Sequence, residues 1–242
     1  MTVSTAAAVR RSVHYGGTDI EFELVRADRA TLEIAVLPDR AVVVKAPGDA
    51  GEDDVLARVA RRARWIFGQQ RYFAQFRPPT PPRRYVGGET HLYLGRQYRL
   101  AIEQGDAERV RLVGGWFHVT VGGDSSPERI RSLLERWYLE KAQRRLPERL
   151  AECLQRFPFA ALEPPTLRLR RMRTRWGSLS DAGTLSLRPD LVRAPRDCID
   201  YVIIHELCHL VHANHGPEFR RLLERVMPDW QRRKHMLEVA LM

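Results

Sequence analysis

Cysteine is scarce in this chain of 242 residues: Cys153, Cys198 and Cys208 are the only three. An odd number without paired spacing provides no disulfide framework, so a reducing compartment is expected. Long apolar runs are missing as well, and no stretch approaches the roughly 18 residues that a membrane span needs. The opening segment MTVSTAAAVRRSVHYGGT contains no acid, and its apolar residues are too dispersed for the core of a secretory signal. Cytoplasmic localisation is the expectation. No internal repeat is evident. Acidic residues are outnumbered, 30 Asp and Glu against 40 Lys and Arg, which leaves a net charge of +10. That balance points to anionic partners, nucleotide or nucleic acid among them, or to an ordinary solvated basic surface. Hydrophobic residues at 44% and charged residues at 29% suit a soluble globular protein large enough for one or two cores.

The first part of the chain alternates apolar and polar residues at Ile20, Phe22 and Leu24, then in TLEIAVL and RAVVVKA around Pro38-Asp39. These segments predict short antiparallel strands. Residues 51–76 predict a helix with Val55, Val59, Ile66 and Phe67 on one side and acids in its first turn. RPPTPPRR (77–84) cannot sustain a helix and reads as a linker. Two hairpins follow, turning at Gly95-Arg96 and at Gly114-Gly115. GGDSSPE (122–128) then marks the expected boundary between a strand-rich N-terminal region with one helix (1–124) and an α+β domain (125–242). Ser126 and Pro127 suit the start of a helix reaching about Phe157 and kinked near Pro147. Strands are expected in TLRLRRMRTRW (166–176) and TLSLR (184–188), and helices over most of 196–240.

The segment YVIIHELCHLVHANHGPEF (201–219) carries the chemistry. His205 and His209 are i, i+4 neighbours on a helix, so both imidazoles project from one face at a separation that holds a metal. Glu206 sits one residue on, where a carboxylate reaches a water rather than the ion, and together they form an HExxH pattern. Two histidines compete as third ligand. If the helix continued, His212 would lie about 4.5 Å further along its axis than His209, too far to close a tetrahedron. Asn214 can end a helix in left-handed conformation and Gly216-Pro217 starts a new direction, so a reversal returning His215 is preferred. Glu218 and Glu224 are weaker carboxylate alternatives. Three protein ligands leave a fourth position for water, the mark of a catalytic site.

Arg175-Trp176-Gly177-Ser178, TLSLRPDLVRAP, Tyr201-Val202 before HELCH, and Asn214-His215-Gly216-Pro217-Glu218-Phe219 resemble the YgjP-like metal-dependent hydrolases, relatives of the SprT-like and Spartan-type zinc metallopeptidases. With Pro228 and Lys234 the resemblance covers roughly 166–237. It implies a zincin-like metallopeptidase domain with His205, His209 and His215 on a zinc ion (Zn2+), Glu206 as catalytic acid/base, and a protein or peptide substrate. Leu179 and Arg188 depart from the family pattern, where cysteine and asparagine are usual.

RLRRMRTRW places five arginines within 168–175. On an extended strand near a zinc cleft, Arg171, Arg173 and Arg175 could grip a peptide, a phosphate chain or a nucleic-acid backbone; as a solvated outer face they would grip nothing. Two further functions therefore stand beside peptide hydrolysis. One is hydrolysis of a nucleotide phosphoanhydride at the same site. The other is a nucleic-acid-binding module whose zinc is structural. Trp176 and Cys208 are expected in the core.

Overall fold

The computed structural model describes residues 8–37, 39–74, 83–160, 162–172 and 174–241. The chain divides into two compact units, residues 1–80 and 81–241.

In the first unit, strands β1 (Val9–Tyr15), β2 (Thr18–Ala27), β3 (Glu33–Val36) and β4 (Val42–Pro47) form one sheet in the order β1-β2-β4-β3. The alternation Ile20, Phe22, Leu24 turns one face of β2 inward, against Val42, Val44 and Ala46 of β4. Helices α1 (Glu52–Arg61) and α2 (Ala63–Ala74) add Val55, Val59, Ala63 and Ile66 to that core. The single helix expected over 51–76 is thus two. The N–H of Arg62 bonds to the carbonyl of Val59, three residues back, and tightens the turn there. The buried stripe nevertheless continues across the break. Gln75 and Phe76 lie outside the described residues. The sequence does not single out β1 because it is an edge strand with a largely exposed pattern, so its alternation is weak.

The second unit opens with β5 (Thr90–Tyr93), β6 (Arg96–Gln104), β7 (Arg109–Val113) and β8 (Trp116–Val121), in the order β5-β6-β8-β7. Both expected hairpins are present. In each four-stranded sheet, however, the two central strands run parallel, β2 beside β4, where antiparallel strands were expected, and β6 beside β8. Both sheets share one strand order and one set of senses. This is a structural repeat that the sequence does not disclose.

Helix α3 (Pro127–Leu154) follows and runs as one element through Pro147. Leu100, Phe117, Val119 and Val121 of the sheet share a core with Ile130, Leu134, Trp137 and Tyr138 of α3. Phe117 meets Trp137 edge-on at 5.0 Å, and the Tyr138 hydroxyl donates to the Leu92 carbonyl at 2.7 Å. The chain therefore parts at 80/81, in the proline-rich segment, and not at 124/125: these apolar faces bury each other, and GGDSSPE is a turn inside the second unit.

Strands β9 (Thr166–Leu169), β10 (Gly177–Leu179) and β11 (Thr184–Leu187) form a small sheet ordered β10-β11-β9, so β10 is an edge. Helices α4 (Arg196–Cys208), α5 (Pro217–Val226) and α6 (Trp230–Leu241) complete the unit. The amides of Leu94 and Gly95, in the β5–β6 turn, donate to the carbonyls of Val192 and Arg193 at 2.8 and 2.9 Å, just before α4. Gly95 has φ +78°, and a side-chain carbon there would come within 2.8 Å of Pro195. Glycine lets the turn sit on the residue that starts α4. No helix among the described residues is long and apolar enough to cross a membrane.

Candidate metal centre

Helix α4 is buried nearly all round, with Val202, Ile203, Ile204 and Leu207 in the core, and this fixes the direction of the polar residues among them. His205 lies in its last turn and His209 caps its C-terminus. The helix stops there, so His212 does not continue the face of the pair. The N–H of Gly216 bonds to the carbonyl of Asn214 at 2.8 Å, and α5 begins at Pro217. The reversal takes place without the left-handed backbone expected of Asn214, which is absent from the positive-φ residues. It returns His215 to the pair, with Nε2 of His215 3.0 Å from Nε2 of His205. One nitrogen from each of His205, His209 and His215 lies within 4.8 Å of the others.

These nitrogens suit a cation. A tetrahedral ion with bonds of about 2.0–2.1 Å holds two of its nitrogens about 3.4 Å apart, within the range seen here. Nδ1 of His209 is 3.1 Å from the carbonyl oxygen of His212. A carbonyl only accepts, so that nitrogen carries the proton and Nε2 keeps its lone pair for a metal. Burial, followed by the neighbouring His215 and His209 and then Lys234, pushes the His205 pKa down to about 3. Burial and His209 lower that of His215 too. Both rings are therefore neutral, the form that ligates. Nδ1 of His205 is buried without a hydrogen-bond partner among the described residues. Phe219 of α5 packs 4.6 to 5.1 Å from all three imidazoles and gives the cluster an apolar floor.

Glu206 lines the same cavity. It is 8% exposed, and burial raises its pKa to about 7 against the opposing pull of the Leu179 amide, which donates to it, and of Arg175. Strand β10 supplies that amide and comes very close. A side-chain carbon on Gly177 would stand 3.0 Å from Cγ of Glu206 and from Val202, so glycine lets β10 rest on α4 here without displacing either side chain. The cavity, about 760 Å³, is lined by Arg175 to Asp181, by Tyr201, by the three histidines and Glu206, and by Lys234 and Glu238 of α6. Lys234 and Glu238 approach each other to 4.0 Å.

The arginine strand is not continuous. β9 ends at Leu169 and the backbone is irregular at 170–172 and 174–176, so the described residues do not form the expected extended run with a bulge. Arg175 lines the cavity. Arg171 does not; it is an exposed side chain paired with Glu135 of α3. Arg173 lies outside the described residues. Trp176 is half-buried against the core, lines the cavity and carries the Arg188 guanidinium over its ring at 4.4 Å. Tyr201, Phe219 and Glu238 were not singled out as site residues in the sequence; Tyr201 and Phe219 stand among the residues of the family resemblance, while nothing local marks Glu238. All three cysteines are free and buried, Cys208 among them.

Three imidazoles and a buried carboxylate around one cavity, in an α+β unit, are the equipment of a metal-dependent hydrolase. The chain belongs to the YgjP-like family: a sequence model of the YgjP-like metallopeptidase domain matches residues 30–240. Among solved structures, the metallopeptidase zymogen of Pyrococcus abyssi abylysin is similar at a TM-score of 0.37 and 23% identity. That likeness covers 40% of this chain and 94% of the other, and is too partial to bear on function. No curated protein matches the sequence.

Proposed function

We propose that the chain is a zinc metallopeptidase that hydrolyses peptide bonds, with His205, His209 and His215 as zinc ligands, Glu206 as general acid/base and a zincin-like arrangement of the second unit. The observation that carries this reading is the convergence of three imidazoles in the cavity that also holds Glu206. Zinc at that point supplies a Lewis acid that polarises a carbonyl and lowers the pKa of a water to about 7.

The remaining chemistry belongs to the chain. Glu206 accepts the proton of the attacking water and returns it to the leaving amine, a role worth roughly 10²–10⁴-fold. Burial, which raises its proton affinity to about 7, suits a group that must both take and give a proton near neutrality. The Leu179 amide holds the carboxylate in orientation while β10 closes one wall. The His212 carbonyl keeps the His209 ring in its ligating tautomer. Free, buried cysteines accord with action in the reducing cytoplasm. A kinship with SprT-like peptidases rests on the Trp-Gly-Ser and Asn-His-Gly segments.

Arg175 in the cavity wall favours a second reading, hydrolysis of a phosphoanhydride, since a guanidinium grips phosphate well. Arg171 is paired elsewhere and adds nothing to it. A purely structural zinc is the least favoured reading, because it leaves the buried Glu206 without a role.

The test is a zinc-replete activity screen over unfolded proteins, DNA-bound proteins and nucleoside triphosphates, with Glu206→Gln as the blank. Peptide cleavage that falls about a hundredfold or more in the zinc-loaded variant is expected. Undiminished cleavage refutes the role of Glu206, and phosphate release without peptide cleavage replaces the first reading by the second.

A further inference from the structure

The first unit contains a groove separate from the metal site. Along α2, Arg64, Phe67, Gln70, Arg71 and Ala74 recur at three- and four-residue intervals and so share one face, while Ala63, Ile66 and Phe73 bury the other. Facing that row are Tyr15 and the β1–β2 turn, together with Arg40 of the β3–β4 turn, and the groove between them encloses about 640 Å³. Arg40, Arg64 and Arg71 form no ion pair among the described residues, whereas Arg11 and Arg29 of the same unit are paired with Glu52 and Glu33. The nearby acids are engaged elsewhere: Asp19 faces His14 at 2.7 Å, and Asp39 accepts from the Ala41 amide at 2.9 Å.

Two details show that this arrangement is held in place. Arg40 has φ +72°, a left-handed conformation that glycine or asparagine adopts more readily. Its carbonyl accepts a hydrogen bond from Gln70 at 3.1 Å, which ties the turn to the helix that bears the other two arginines. Beside them Tyr15 and Phe67 form a tilted ring pair with centroids 6.5 Å apart, and Tyr15 is 38% exposed.

We propose that this groove binds single-stranded nucleic acid, with the phosphates on Arg40, Arg64 and Arg71 and a base on Tyr15. Guanidinium forks match phosphate oxygens, and an exposed ring stacks any base without reading its identity. An acidic peptide would satisfy the arginines but leaves the aromatic pair without a function, so nucleic acid is favoured. The site goes beyond the peptidase reading and does not depend on it, because no histidine of the metal cluster belongs to the groove.

The experiment is fluorescence anisotropy of the full chain with labelled oligothymidylate and oligouridylate of about fifteen nucleotides, at two salt concentrations, with and without chelator. Binding unaffected by chelator is expected. Arg40→Gln/Arg64→Gln/Arg71→Gln should weaken it about tenfold or more and lower the slope against log salt by about two, at roughly 0.7 per lost phosphate contact. Tyr15→Ala should weaken it about tenfold and Tyr15→Phe should restore it. Melting curves and peptide cleavage equal to wild type show that the variants are folded. Binding that is absent in the wild type, or unchanged in the triple variant, overturns the proposal. So does polyglutamate binding more tightly than either oligonucleotide, an outcome that assigns the groove to acidic proteins.

Discussion

Nδ1 of His209 donates to the main-chain carbonyl of His212 over 3.1 Å. His212 thus meets the metal cluster through its backbone, and any residue at 212 provides the same carbonyl. His212→Ala should leave zinc content near that of the wild type, whereas His215→Ala should weaken zinc affinity by about two orders of magnitude or more. Competition with a chromophoric chelator measures both. The opposite order would make His212 the third ligand.

Gly177 leaves no room for a methyl group between β10 and α4. In Gly177→Ala, either Glu206 or the strand must shift by a few tenths of an ångström. The expected outcome is unchanged zinc content, a loss of about 1–3 kcal/mol of stability from overpacking, and a fall in kcat larger than any change in KM. Wild-type kcat in that variant would mean that the close contact has no bearing on how Glu206 is placed.

His205 and His209 were legible because helical spacing alone puts them on one side, and His215 because Gly216-Pro217 announces a new direction. The course of the segment that bears the arginines was not. Alternation of leucine and methionine along 166–176 suggested one strand, yet pairing stops at Leu169, and nothing local in RRMRTR says where a ladder ends. The partition of the chain was hidden for a related reason. Glycine and serine at 122–125 look like a linker, while the burial of Phe117 against Trp137 that makes them a mere turn is a contact between elements. Parallel pairing of β2 with β4 is likewise invisible to alternation, which is the same for either sense.

Arg149 of α3 holds Asp200 of α4 through two hydrogen bonds, Nε to Oδ1 at 2.8 Å and Nη2 to Oδ2 at 2.7 Å, with Asp200 only 2% exposed. Arg149 also reaches Glu152, and Asp200 also faces Arg156 at 3.6 Å, so neither charge is wholly alone when the pair is broken. Asp200→Asn should destabilise the chain by about 1–3 kcal/mol in denaturant unfolding, and Arg149→Met/Asp200→Leu by less. A double variant as unstable as the single one would show that the pair contributes more than the absence of a stranded charge.

His91 is 3% exposed, and burial drives its pKa down to about 4 even though Glu89, 3.1 Å away, favours the charged ring. The ring takes up a proton less readily in the folded chain than in the unfolded one, where its pKa is near 6.5. The stability this gives is present above pH 6.5 and is lost as pH falls toward 4, on the order of 3 kcal/mol in all. His91→Gln removes the titrating group. The difference in unfolding free energy between wild type and variant should therefore narrow, or change sign, between pH 7 and pH 4.5; a constant difference would contradict the assignment.

Two sheets with the same strand order in one polypeptide pose a sorting problem at birth. Each is made of two hairpins that close locally and early, and only then do the parallel strands β2 and β4, or β6 and β8, find each other across a longer stretch of chain. An early hairpin from one sheet offers an edge much like that of its counterpart, so exchange between sheets competes with the native pairing. Leu24 stands opposite Val44 in one sheet, and Leu100 opposite Phe117 in the other, so the residues along the two parallel seams differ in volume. A ring placed in the first seam, or a valine in the second, would weaken the distinction between the two halves.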